Sequence, residues 1–125
     1  MVVRCVKASI SGASLNIINN DLQEYLKVGA DYNVYGIRVS KESNYFMIFD
    51  DGHLIEVPSQ MFEIIEGKAS PFWVVDYSES KGTTFWPELF YEDDFFENFS
   101  EWEEKERKSF TELMQLFEDH KKTSN

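Results

Sequence analysis

The chain has 125 residues, which suits one compact domain over 1–125 and leaves little room for a second. Apolar residues make up 42% and aromatics 16%, too much apolar surface for a disordered chain. The formal net charge is −11, from 23 acidic and 12 basic residues. That balance argues against nucleic acid and anionic membranes as partners, because both are gripped through Lys and Arg. It favours a basic partner, or serves solubility alone.

Charge is unevenly placed. Residues 1–85 carry net −4, residues 86–119 carry net −9, and Lys121 and Lys122 return +2. Cys5 is the only cysteine, so no intrachain disulfide is possible, and its apolar strand-like setting reads as core. No basic segment followed by an apolar stretch marks a signal peptide, and no apolar run approaches the ~20 residues of a membrane helix. The expectation is a soluble cytoplasmic protein.

The first two thirds have the pattern of short strands. Residues 2–10 alternate Val3 and Cys5 against Arg4. Residues 11–14 (SGAS) signal a turn, and 15–18 (LNII) form a short apolar run. In 32–40, Tyr32 and Val34 share a face before Gly36 interrupts, the mark of a bulge or tight bend. Residues 44–57 read as a hairpin turning at Asp50-Asp51-Gly52. Pro58-Ser59-Gln60 breaks that strand, 62–65 (FEII) resumes, and 70–77 (SPFWVVDY) is a last apolar run. Such a series predicts a small antiparallel barrel or sheet, the β part of the domain, over 1–77.

An acidic, aromatic connector follows over 78–98, with a short helical turn expected at 93–98. Ser100-Glu101-Trp102-Glu103 has the S-x-x-E form of a capping box, which predicts a helix over 99–120. Phe99, Trp102, Phe110, Leu113, Met114 and Phe117 then recur at helical spacing. That helix is long enough to pack across a small barrel. The class expected is α+β and β-rich.

No catalytic constellation stands out. His53 and His120 lie far apart without metal-ligand spacing, and no nucleophile elbow, phosphate-binding loop or dinucleotide fingerprint occurs. Asp50/Asp51 are explained by the turn, and Asp93/Asp94 lack the spacing of a calcium loop. Neither an enzyme nor a cofactor or metal is expected.

Residues 25–73 carry a further pattern. Leu26, Val28, Gly29, Tyr32, Val34, Gly36 and Ile37 open it; the aromatic run Tyr45–Phe49 follows, then Pro58, Phe62–Ile65, and Pro71 with Trp73. Trp86-Pro87-Glu88-Leu89 then leads into the acidic segment. This resembles a family of small bacterial proteins with an N-terminal SH3-like barrel. Small acidic proteins of that shape resemble immunity proteins of toxin–immunity pairs, including those of contact-dependent inhibition. The resemblance implies an SH3-like barrel with a C-terminal helix packed on it, and binding to a cognate toxin domain.

Function expectations follow from residues 87–104, which hold eight acidic residues, six aromatics and no cation. A nuclease toxin must be basic where it grips phosphate, so an inhibitor can cover that surface with carboxylates. The residues expected to meet it are Tyr91, Glu92, Asp93, Asp94, Glu97, Glu101 and Glu104, with Trp102 as an apolar anchor. Against this stand a merely solvated acidic face and a Trp102 used only for helix packing. Two other readings are a DNA-mimic inhibitor and an SH3-like adaptor that binds peptides through Tyr32, Tyr35 and Tyr45.

Overall fold

The computed structural model describes residues 1–7 and 26–123; the expectations for 11–18 fall outside the described residues. The fold is α+β and β-rich, with antiparallel sheets and a C-terminal helix. The chain gathers into two compact units, Met1–Trp86 and Pro87–Asn125.

Among its described residues the first unit holds eight strands. These are β1 (Val2–Cys5), β2 (Asp31–Asn33), β3 (Gly36–Val39), β4 (Asn44–Asp50), β5 (His53–Pro58), β6 (Phe62–Glu66), β7 (Trp73–Ser78) and β8 (Gly82–Pro87). One sheet runs β2-β1-β6 and the other β5-β4-β3-β8-β7. Alternation decides β1 as its sequence predicts: Val3 and Cys5 are buried, while Arg4 faces outward. Arg4 lies opposite Asp31 on β2 and Glu63 on β6, and reaches their carboxylates at 2.7 and 4.0 Å.

Gly36 marks the bend that its sequence position announces. It opens β3 just after the chain leaves β2, and the two strands belong to different sheets. A Cβ on Gly36 would stand 2.6 Å from Cδ1 of the buried Trp86 and 3.3 Å from the Phe85 carbonyl. Only glycine lets the backbone pass. The β4–β5 hairpin also forms. Asp50 pairs with His53, leaving Asp51 and Gly52 as a two-residue turn with φ of +48° and +82°. Both residues are left-handed, the geometry whose twist matches the flanking strands.

The core packs Val3, Val34, Ile48, Val57 and Met61 beneath the rings of Tyr32, Phe46 and Phe62. Phe62 meets Tyr32 and Phe46 edge-on, with ring centroids 6.2 and 6.1 Å apart. Each such side chain contributes roughly 1.5–3 kcal/mol through burial.

One sequence expectation needs correction here. Residues 82–87 are not connector but strand β8, which pairs with β3 and lies between β3 and β7. Its Thr83, Thr84, Phe85 and Trp86 are β-branched and aromatic, the residues a sheet favours. Gly82, at φ +83°, starts it against the Val39 carbonyl, where a Cβ would collide. Of the three tyrosines the peptide-binding reading would use, Tyr32 and Tyr35 are core residues and Tyr45 is half-exposed, with the Arg38 guanidinium 4.4 Å over its ring.

Replacing Gly36 by alanine is expected to lower unfolding free energy by about 1–3 kcal/mol, because Trp86 is too enclosed to move aside. Urea denaturation checks this through a lower midpoint at unchanged slope. A midpoint equal to wild type would mean the bend does not need glycine.

Candidate functional site

The second unit opens where Pro87 ends β8 and a 3₁₀ turn, Glu88–Tyr91, begins. Two helices follow, α1 (Phe95–Ser100) and α2 (Glu104–Thr123). A six-residue helix is far too short to stand alone, so its aromatic stripe must hold it. Phe95 and Phe99, one turn apart, are both buried. Phe90 stacks on Phe95 at 5.5 Å, Phe95 reaches Phe99 at 5.7 Å, and Phe99 meets Phe110 of α2 edge-on at 5.3 Å. The aromatic half of this segment is therefore a small phenylalanine core.

The predicted capping box does not form. Ser100 lies in the last turn of α1, and its hydroxyl donates back to the Glu97 carbonyl at 2.7 Å. Consequently α2 starts at Glu104, not near residue 99. Between the helices the chain reverses through a paired closure. The Trp102 amide donates to the Phe99 carbonyl at 3.1 Å and the Glu103 amide to the Asn98 carbonyl at 3.0 Å. This arrangement puts the intervening residue in the left-handed region, a position that usually holds glycine. Here it is Trp102, with φ of +64°. A left-handed conformation costs a side-chain-bearing residue about 1–2 kcal/mol.

Arg107 clasps this reversal. Its guanidinium lies 3.6 Å from the ring centres of both Phe99 and Trp102, and it donates to the Phe99 carbonyl at 2.6 and 3.0 Å. Partial burial pushes that guanidinium down from its ordinary value. Apolar spacing does not mark Arg107, which falls in the polar stretch 105–108 between Trp102 and Phe110. Its place after Phe99 and Trp102 is the signal that was there to be used. Despite this stacking, Trp102 remains 61% exposed.

The other predicted residues are displayed on the same unit. Glu92, Asp93 and Asp94 occupy the exposed stretch before α1, Glu97 is exposed on α1, and Glu101 and Glu104 flank Trp102. Tyr91 is half-buried. Among the described residues, none of these six carboxylates lies within ion-pair distance of a cation. In the first unit, Asp31, Glu56 and Glu66 are all paired. Residues 87–125 hold twelve acidic and five basic side chains, a net charge of −7. An ordered, uncompensated negative surface around one exposed indole can attract cations and offer a large apolar ring once they arrive.

Other chemistry finds little footing. Among the described residues, no three His, Cys, Asp or Glu side chains gather as a metal site needs. Cys5 is buried, and burial pushes its thiol up, away from nucleophilic thiolate. No described helix is long and apolar enough to cross a membrane. On the first unit, an open depression of about 890 Å³ runs between Tyr45 and Tyr77, but its Arg38 is held by both oxygens of Glu56 at 2.8 and 2.9 Å. Searches of protein-family models, curated proteins and solved structures find no match to this chain.

Trp102→Gly is expected to change stability by less than about 1 kcal/mol, because lost stacking is offset by relief of left-handed strain. Phe95→Ala, which opens the phenylalanine core, is expected to lose about 3–5 kcal/mol. Thermal unfolding of both variants checks the contrast; equal losses would make Trp102 a structural residue. Separately, Cys5 is expected to resist thiol reagents at pH 8 until the protein is unfolded, and rapid labelling of the native chain would contradict its placement.

Proposed function

We propose that this chain is an inhibitory binding protein that neutralises a basic toxin domain, a nuclease by charge logic, through the acidic surface of residues 91–104. The observation that carries the reading is the exposed Trp102, fixed in a strained backbone among unpaired carboxylates. Steering and holding are separate tasks. Uncompensated carboxylates speed the encounter with a basic surface and lose force as salt screens them. Affinity needs a desolvated anchor near the centre of the contact, and tryptophan is the side chain most often found there. The phenylalanine core supports both by keeping these groups on ordered backbone, so that little freedom is lost on binding. An inhibitor of this kind occupies the surface with which a nuclease would grip phosphate.

The test uses the product of the adjacent upstream gene. Its C-terminal domain is expected to be toxic when expressed alone, and to be relieved by co-expression of this chain. Neutralising Glu92, Asp93, Asp94 and Glu97 to their amides should slow association by about tenfold at low salt and leave folding intact. Trp102→Ala should instead speed dissociation, weakening binding by about 2 kcal/mol. A harmless neighbour, or an association rate indifferent to both salt and the four carboxylates, would remove the proposal.

A further inference from the structure

We propose that Arg107 is a positioning residue for the acidic surface: it holds the Trp102 indole by one face and leaves the opposite face to an apolar pocket of the partner. The proposal rests on the reading of this chain as a binder of a basic protein, and divides that surface by chemistry. Partner cations meet the carboxylates, and partner hydrocarbon meets the indole.

Trp102 lies between α1, which ends at Ser100, and α2, which begins at Glu104. A side chain on an exposed reversal ordinarily samples several rotamers, and ordering it on binding costs affinity. One contact limits that freedom here. The Arg107 Cζ stands 3.6 Å from the Trp102 ring centre, van der Waals contact for carbon atoms, so the guanidinium covers one face of the indole. The same Cζ stands 3.6 Å from the Phe99 ring centre. Phe99 is buried and meets Phe110, so the inner end of this stack is seated in the phenylalanine core. The orientation of the guanidinium is fixed too, because Nε and Nη2 both donate to the Phe99 carbonyl, at 3.0 and 2.6 Å. A lysine ammonium has neither flat faces for two rings to clasp nor a fork to fix its plane. Phe99, Arg107 and Trp102 therefore form a stack that starts in the core and ends in an exposed indole.

Charge on one face decides what the other accepts. The Arg107 guanidinium already draws on the negative quadrupole of the indole. A second cation on the opposite face would share that ring and be repelled by Arg107 across it. Aliphatic and aromatic groups meet no such repulsion and gain by burying the ring. The exposed carboxylates of Glu101 and Glu104, on either side of Trp102 in the chain, are left to the partner's cations.

The test labels the full chain with 5-fluorotryptophan, which gives one fluorine signal for each of Trp73, Trp86 and Trp102. The Trp102 signal is identified by its loss in Trp102→Ala. In Arg107→Lys and Arg107→Met it is expected to move toward the position of a solvated tryptophan, while the Trp73 and Trp86 signals stay and show the fold intact. An unmoved Trp102 signal would overturn the proposal. Dissociation from the C-terminal domain of the upstream gene's product is then measured for both variants. It should quicken about fivefold or more when residue 102 is Trp, and less than about twofold in the Trp102→Ala background. Equal effects in the two backgrounds would make Arg107 a residue of the fold alone and overturn the proposal. Slower dissociation of Arg107→Met would overturn it as well, because a partner cation would then be sharing the indole with Arg107. Failure of the functional reading looks different: the wild-type chain then does not bind that domain, and this proposal falls with it whatever the fluorine signals show.

Discussion

The burial of Phe95 and Phe99 is the constraint from which the acidic surface follows. A helix of two turns does not persist in water by its own hydrogen bonds. It persists here because its phenylalanines reach Phe90 on one side and Phe110 on the other. For Phe99 to meet Phe110, the chain must turn back sharply after α1, and that reversal demands one left-handed residue. Every polar consequence follows from this geometry. The residues between the phenylalanines point outward, and they are Asp93, Asp94, Glu97 and their neighbours. Aromatic and acidic residues thus share one stretch because they occupy opposite faces of the same short elements.

The two units handle charge differently. In the first, four carboxylates, Asp31, Glu56, Glu63 and Glu66, are answered locally. Arg4 stands across the ladders from Asp31 and Glu63, and its guanidinium holds the Asp31 carboxyl below the usual range. Arg38 answers Glu56, and the N-terminal amine lies 3.3 Å from Glu66. These pairs are exposed or half-exposed, so they set register and orientation more than they add stability. In the second unit the best-placed cation, Arg107, is spent on rings and a carbonyl instead. The negative field of that unit is left open by the same side chain that secures its fold.

Much of this was legible in the sequence where a rule acts locally. Alternation located β1, Asp51-Gly52 located the hairpin turn, and Gly36 located the bend. The rule failed where the winning contact lay far along the chain. Strand β8 was hidden in the connector because its place depends on β3, more than forty residues earlier. The capping box at Ser100 had the right letters, but the burial of Phe99 drew that residue into α1, where its hydroxyl found the Glu97 carbonyl. The acidic residues of the site were readable as a group, since charge needs no partner to be counted. Arg107 was not, because its role exists only once Phe99 and Trp102 have been brought to either side of it.

Elsewhere the sequence agrees with its backbone closely enough to make the exceptions informative. Six described residues have positive φ, and five of them are Gly29, Gly52, Gly82, Asp51 and Asp94, types that tolerate it. The sixth is Trp102. Folding alone would be served at least as well by glycine at 102. When local preference, packing and charge concur across a chain, the sites that break agreement are where function is expected to act against stability. Here such a site is an indole raised among carboxylates. It has the form of a surface awaiting contact, suited to a partner that is basic.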